Sequence, residues 1–205
     1  LTAYGAYGIS LPIAFDPTRL PLLNRGFVLG IVHVRGGGDL GDAWHFSGRH
    51  LNKENTFNDF VDVANRLVES GIGHPGMLAA RGASAGGTVI GVVANEAPAL
   101  FKVLVADVPF VDVLTTLLDP TLPLTESDIL EWGNPDVPAD ARYLFEYSPY
   151  HQVREQDYPQ LLVQASRNDG RVGAHEALKW MARIRARSTG GGLHLVDIED
   201  HSGHL

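Results

Sequence analysis

The sequence feature that most restricts how this chain can fold is residues 82–87, which read Gly-Ala-Ser-Ala-Gly-Gly. A short apolar run at residues 77–80 precedes them, and residues 88–94 follow with a pattern that suits a helix packed on a sheet. Small residues at such a strand-to-helix turn let neighbouring backbones pass closely without a Cβ clash. In this context the Gly-x-Ser-x-Gly pattern is typical of a nucleophile elbow, a strained turn that exposes the hydroxyl of Ser84. The alternative is an ordinary glycine-rich turn that contains a serine.

Short apolar segments rich in β-branched residues predict the other strands of a sheet: residues 26–34, 102–108, 161–165 and 193–198. The clearest helix is predicted over residues 56–70, with Asn55 or Thr56 as its N-cap. Strands that alternate with helices indicate an α/β fold with a mostly parallel sheet and right-handed crossovers. A second helix is predicted over about 173–187, with these side chains turned inward: Ala174, Ala177, Leu178, Met181 and Ile184.

Two irregular segments have their own interpretations. Residues 35–41 formally contain Gly-x-Gly-x-x-Gly after a predicted strand, as in a dinucleotide-binding turn. That motif requires its last glycine to open a helix, and the residues after Gly41 have no clear helical period. We therefore interpret the segment as a glycine-rich loop at the carboxyl end of a strand. Residues 109–149 contain several prolines and acidic clusters, and predict a short helical or lid-like excursion.

Three residues with complementary chemistry follow three predicted strands. A serine hydroxyl becomes a nucleophile when a base removes its proton, and a carboxylate orients that base. Ser84, Asp169 and His204 occur in this order after the strands at 77–80, 161–165 and 193–198. The carboxyl ends of parallel strands lie at one edge of a sheet, so we predict that the three side chains form a catalytic triad. The backbone N–H of Ala85 is the expected first donor to the oxyanion.

Each triad member has an alternative interpretation. Asp169 stands in an Asn-Asp-Gly turn, where an aspartate often serves only local hydrogen bonding. His201 rivals His204 as the base, but the flexible Ser-Gly pair before His204 favours His204. The two histidines also suggest a metal site, but no further ligands cluster with them in the sequence. We therefore expect neither a metal nor an organic cofactor.

The composition restricts the partners and the compartment. The formal net charge of −8 argues against nucleic acid or an anionic membrane surface as a partner. The sequence contains no run of 18 apolar residues and no visible signal peptide. The absence of cysteine is compatible with a reducing compartment, so we expect a cytoplasmic protein. The chain length of 205 residues suits one domain with a large core.

The chain resembles the catalytic domain of the prolyl oligopeptidase family of serine peptidases, and within it the oligopeptidase B members. The segments that carry the resemblance are residues 4–8, 25–28, 32–38, 55–59, 82–87, 108–113, 131–135 and 147–150. The resemblance implies an α/β-hydrolase fold over residues 1–205 and an oligopeptide substrate. It also implies a β-propeller domain and a closing helix after the histidine. Because neither is seen in the sequence, we expect a truncated hydrolase domain.

The resemblance implies further site residues. The Tyr4 hydroxyl matches the second oxyanion donor of the family, although a tyrosine at a strand end is also an ordinary core residue. Arg171 resembles an arginine that binds the substrate backbone. Oligopeptidase B cleaves after Arg or Lys, and acids before and within the Glu-Trp-Gly-Asn-Pro segment are the candidate contacts, here Asp128 and Glu131. Leu130 replaces a second acid found in some members.

The alternatives within the fold are a prolyl oligopeptidase, an acylaminoacyl-peptidase and an esterase. The alternative outside enzymes is a non-catalytic binding module of the same fold, which should lack one triad residue. The sequence leaves the oligomeric state open.

Overall fold

A parallel sheet forms the centre of the protein. The structure, a computed structural model, describes residues 1–122 and 124–204. Its four strands lie side by side in sequence order and are all parallel: β1 Ala79–Ala83, β2 Val103–Asp107, β3 Gln160–Ser166 and β4 His194–Glu199. Leu104 and Val163 are among the buried apolar residues of the strands, whereas Leu195 of β4 is 46% exposed. This arrangement confirms the predicted α/β fold with a parallel sheet.

Residues 26–34 do not form the regular buried strand that the sequence predicts. Only Ile31 forms a bridge, to Thr2, which in turn bridges to Arg81 of β1. Val32 and Val34 are buried, whereas Val28 is 72% exposed. The prediction fails because Thr2 offers a single residue for pairing, too little to extend a ladder along the segment.

Eight α-helices accompany the sheet in the described part of the chain. They are α1 Leu20–Leu23, α2 Asp42–Phe46, α3 Glu54–Glu69, α4 Ala85–Glu96, α5 Val113–Leu117, α6 Thr125–Trp132, α7 Pro138–Tyr147 and α8 Ala174–Arg187. Short 3-10 turns occur at Pro17–Arg19, His50–Asn52 and Pro98–Leu100. The glycine-rich loop leads into the short helix α2, and the predicted excursion contains α5, α6 and α7. None of the described helices has the length and apolar character needed to cross a bilayer.

The two predicted long helices are present, with local differences. Helix α3 begins at Glu54, and neither Asn55 nor Thr56 caps it. The Thr56 hydroxyl instead donates a hydrogen bond to the backbone carbonyl of Arg35, 2.7 Å away. In α8 the predicted inward residue Leu178 is 49% exposed, because the buried face of the helix is centred on Ala177 and Trp180.

The buried carboxyl of Glu176 fastens the loop after β2 to helix α8. One of its oxygens accepts hydrogen bonds from the backbone N–H groups of Val111 and Asp112, each at 2.8 Å. The other oxygen accepts a hydrogen bond from the hydroxyl of Thr116 in α5, at 2.7 Å. Burial raises the pKa of Glu176 to about 7, although these hydrogen bonds oppose the shift. The position of this loop therefore depends on one acidic side chain of α8.

Replacing Glu176 with Gln should change how stability depends on pH. The folded-state pKa of about 7 lies above the ordinary value of 4.5, so the associated stability is full below that ordinary value. It is lost as pH rises through the folded-state pKa. The free energy of unfolding of the wild-type protein should therefore fall relative to E176Q between pH 5 and 7, by at most about 1.4 kcal/mol per pH unit.

Urea unfolding of both proteins at several pH values measures this difference. The matched control is Glu155→Gln, because Glu155 is exposed. A difference between wild type and E176Q that stays constant with pH contradicts the assignment.

Candidate active site

The turn between β1 and α4 holds Ser84 in a strained backbone conformation. Its φ is 55° and its ψ is −118°, in a region that side chains with a Cβ rarely adopt. The N–H of Ser84 donates to the carbonyl of Asp107 at 2.9 Å, and the carbonyl of Ser84 accepts from the N–H of Phe110 at 3.1 Å. These bonds to the end of β2 and the loop after it keep the turn in place.

Close backbone packing explains why small residues surround the serine. A Cβ on Gly86 would lie 2.5 Å from the carbonyl oxygen of Ala3. A Cβ on Gly87 would lie 2.5 Å from the Cα of Pro109. The glycines therefore allow the N-terminal segment and the loop after β2 to approach the elbow from both sides.

The structure brings Ser84, His204 and Asp169 together in hydrogen-bonding contact. The Nε2 atom of His204 lies 2.9 Å from the Oγ of Ser84, and the Nδ1 atom of His204 lies 2.7 Å from Oδ2 of Asp169. A neutral histidine that donates from Nδ1 to the carboxylate presents Nε2 as an acceptor for the serine proton. His201, the rival in the sequence, lies exposed on the same loop.

Both oxygens of the Asp169 carboxylate have hydrogen-bond partners. Oδ1 accepts hydrogen bonds from the backbone N–H groups of Arg171 at 2.8 Å and Val172 at 2.9 Å, while Oδ2 contacts His204. The side chain is fully buried. These contacts fix the orientation of the carboxylate, so Asp169 is suited to orient an imidazole.

Hydrogen bonds from the end of β3 and the loop after it to the loop after β4 hold Asp169 next to His204. The side-chain amide of Asn168 donates to the carbonyl of Asp200 at 2.5 Å. The hydroxyl of Ser166 donates to the carbonyl of Ser202. These contacts tie the end of β3 and the loop after it to the loop that carries His204.

A cavity of about 260 Å³ opens beside the serine. The predicted residues Tyr4, Ala85, Asp128 and Arg171 line it together with Ser84 and His204. Tyr4 is half-buried, and burial raises its pKa while the nearby hydroxyl of Ser84 opposes the shift. A larger depression of about 610 Å³ lies at the amino ends of β2 and β3, and none of the predicted site residues lines it.

Tyr7, which no local sequence pattern singles out, orients the carboxylate of Asp128 on the cavity wall. The hydroxyl of Tyr7 donates to Oδ1 of Asp128 at 2.9 Å and accepts from the indole N–H of Trp132 at 2.8 Å. Tyr7 has a φ of 58°, so its backbone is also strained. Burial raises the pKa of Asp128, and the Tyr7 hydrogen bond opposes this shift. Oδ2 of Asp128 is thereby left for other partners.

Of the three predicted substrate contacts, Asp128 and Arg171 line the cavity and Glu131 does not. Glu131 is 4% exposed, and its two oxygens lie 3.2 Å from Nζ of Lys53 and 2.7 Å from Nε2 of His45. Leu130, which the resemblance predicts to replace an acid, is 70% exposed. Asp128 and Glu131 lie on neighbouring turns of α6, but Asp128 lines the cavity, whereas the hydrogen bonds of Glu131 to Lys53 and His45 hold it in the core.

Known proteins resemble the chain over almost its whole length. Protease 2 of Moraxella lacunata is 45% identical over 205 residues, which is all of this chain and 30% of that protein. Dipeptidyl aminopeptidase BI of Pseudoxanthomonas mexicana is 43% identical over 98% of this chain and 28% of that protein. The structure of oligopeptidase B from Leishmania major matches with a TM-score of 0.96 and 44% identity, over 98% of this chain and 28% of that chain.

The match to a family model agrees with these relatives. The model described as the prolyl oligopeptidase family covers residues 13–205. The chain spans about 30% of the length of the curated relatives it matches. The resemblance inferred from the sequence motifs is confirmed, and the chain belongs to the prolyl oligopeptidase family.

Proposed function

We propose that this chain is the catalytic part of a serine peptidase that hydrolyses oligopeptides after arginine or lysine. The observation that carries the proposal is the chain of two hydrogen bonds, 2.9 Å and 2.7 Å, that joins Ser84 to His204 and His204 to Asp169. The buried, doubly held carboxylate of Asp169 fixes the tautomer in which Nε2 of His204 accepts the serine proton.

The reaction proceeds through an acyl-enzyme. The Oγ atom of Ser84 attacks the scissile carbonyl carbon while Nε2 of His204 takes its proton, and Asp169 stabilises the resulting imidazolium. His204 then passes this proton to the leaving amine. In the second half, a water molecule gives a proton to His204 and attacks the acyl carbon. His204 returns this proton to the Oγ atom of Ser84 as the ester bond breaks and the peptide acid leaves.

The negative charge on the carbonyl oxygen needs donors that are already in place. The backbone N–H of Ala85, at the start of α4, and the hydroxyl of Tyr4 supply them in this proposal. The raised pKa of Tyr4 supports the role, because the hydroxyl keeps its proton at working pH. Arg171 on the same cavity wall binds the substrate backbone.

Asp128 provides the preference for a basic side chain. The cavity beside Ser84 is partly buried, so a guanidinium that reaches Asp128 forms a charge-assisted hydrogen bond in a medium of low dielectric constant. Tyr7 already occupies Oδ1, which leaves Oδ2 of Asp128 to receive the substrate cation.

Replacing Ser84 with Ala should abolish turnover and covalent labelling. In the full-length protein we expect kcat to fall by at least about 10⁴-fold, because the nucleophile is lost. A fluorophosphonate probe followed by peptide mass spectrometry measures the labelled residue. Ser127→Ala is the matched control, since Ser127 lines the same cavity and its hydroxyl donates to the carbonyl of Leu124. Labelling that survives Ser84→Ala contradicts the proposal.

Replacing Asp128 with Asn should reduce the preference for basic substrates. The loss of a partly buried charge partner lowers kcat/KM for an arginyl substrate by about 30-fold, or about 2 kcal/mol. A substrate with a neutral residue before the scissile bond should change little. Glu126→Gln on the same helix is the matched control, because Glu126 is exposed. An unchanged ratio of arginyl to neutral substrates contradicts the role of Asp128, and a wild-type preference for prolyl substrates contradicts the proposed specificity.

A second candidate function is removal of dipeptides from a free amino terminus. The 43% identity to dipeptidyl aminopeptidase BI over 98% of this chain favours it. Peptides with blocked and free amino termini, compared at the same arginyl bond, distinguish the two activities. Equal cleavage of both supports the oligopeptidase, whereas cleavage of the free peptide alone supports the dipeptidyl aminopeptidase.

A further inference from the structure

Lys53, at the start of α3, is buried beneath two walls of the cavity. Its side chain is 1% exposed. The ammonium donates a hydrogen bond to the carbonyl of Gly5 at 2.8 Å and another to Oε1 of Glu131 at 3.2 Å. It also lies 4.3 Å from the ring centroid of Trp132. A buried lysine is rare, and a buried charge is tolerated only when it is paired and hydrogen-bonded.

The two partners of this ammonium belong to segments that line the cavity. Gly5 directly follows Tyr4, the proposed oxyanion donor, and has a φ of 73°. Glu131 follows Asp128 by three residues, so the two side chains belong to neighbouring turns of α6. These segments are far apart in the sequence, and the ammonium contacts both of them.

We propose that Lys53 and Glu131 are positioning residues that set the oxyanion donor Tyr4 and the specificity acid Asp128 relative to each other. The inference rests on the proposed function, because it assigns a task to residues whose roles are proposed there. Lys53 holds the backbone next to Tyr4, and Glu131 holds the helix that carries Asp128. His45, from α2, binds the second oxygen of Glu131 at 2.7 Å and completes the carboxylate's contacts.

The ammonium of Lys53 loses its charge at mildly alkaline pH. Burial lowers the pKa of Lys53 to about 8, although Glu131 opposes the shift. Lys53 is therefore charged below about pH 8 and becomes neutral as pH rises through that value. Other titratable groups near the pair are His45, Asp128 and Tyr147 of α7, and burial raises the pKa of Tyr147 well above its ordinary value. Tyr4 also keeps its proton in this range, because its pKa is raised.

The test compares wild type with the double variant Lys53→Met, Glu131→Gln in the full-length protein. This pair of substitutions removes both charges and leaves no unpaired buried ion. We expect kcat to fall by about 10-fold to 100-fold on arginyl and neutral substrates, because the oxyanion donor is misplaced. The ratio of kcat/KM for arginyl over neutral substrates should fall by about 10-fold, because Asp128 also shifts.

The pH dependence of kcat distinguishes a positioning role from a purely structural one. Wild-type kcat should decline as pH rises through about 8, and the double variant should lack this alkaline limb. Lys102→Met is the matched control, because Lys102 is exposed near the opposite end of the sheet. A folded double variant with unchanged kcat, substrate ratio and alkaline limb overturns the proposal.

If the double variant does not fold, the pH dependence of wild-type kcat tests the positioning role. Wild-type kcat that stays flat from pH 7 to 10 overturns the inference, whereas a decline centred near pH 8 supports it. The proposed function is tested separately: enzyme that labels at Ser84 but shows a flat profile refutes only the positioning role. Activity that survives Ser84→Ala refutes the proposed function itself.

Discussion

The left-handed backbone at Ser84 is the constraint on which the rest of the cavity depends. With φ at 55°, the turn directs the serine side chain away from the sheet and places the N–H of Ala85 beside it. A residue with a Cβ adopts this conformation at a cost of about 1–3 kcal/mol, which the surrounding contacts must offset. The bonds from Ser84 to Asp107 and Phe110 provide that support, and Gly86 and Gly87 allow the neighbouring backbones to come close enough.

The parallel sheet explains why residues far apart in sequence meet at this turn. β1, β3 and β4 all point the same way, so the loops that follow them emerge at one edge. The loops after β3 and β4 are tied to each other by the hydrogen bonds of Asn168 and Ser166, and this fixes Asp169 against His204. The remaining walls come from outside the sheet, namely from the N-terminal segment and helix α6. Because these two walls come from different parts of the chain, the proposed role of the buried Lys53–Glu131 ion pair is to set their relative position.

Local sequence patterns were sufficient to predict the site residues that follow the ends of strands. The elbow around Ser84 and the polar turns holding Asp169 and His204 are each visible within a few residues, because turn geometry restricts residue type. Tyr4, Asp128 and Arg171 were inferred only through resemblance. A tyrosine near a strand end or an acid in a helix has no local signature of binding.

The features that sequence reasoning missed depend on contacts between distant residues. Tyr7 and Asp128 are separated by 121 positions, and Lys53 and Glu131 by 78. Glu176 offered one signal, a charged residue beside Ala177 on the apolar face of α8, which indicates a buried partner. The prediction of Glu131 as a substrate contact followed from the family resemblance. In the structure Glu131 is instead buried and contacts Lys53, a partner that no local pattern indicates.

A crystal structure of the full-length protein with a peptide aldehyde that ends in arginine tests the central claim most directly. The account predicts a covalent bond from Oγ of Ser84 to the aldehyde carbon. It also predicts that the resulting oxygen lies about 3 Å from the N–H of Ala85 and the hydroxyl of Tyr4, with the guanidinium on Asp128. An aldehyde bound elsewhere, or an adduct whose oxygen faces away from Ala85 and Tyr4, would contradict it.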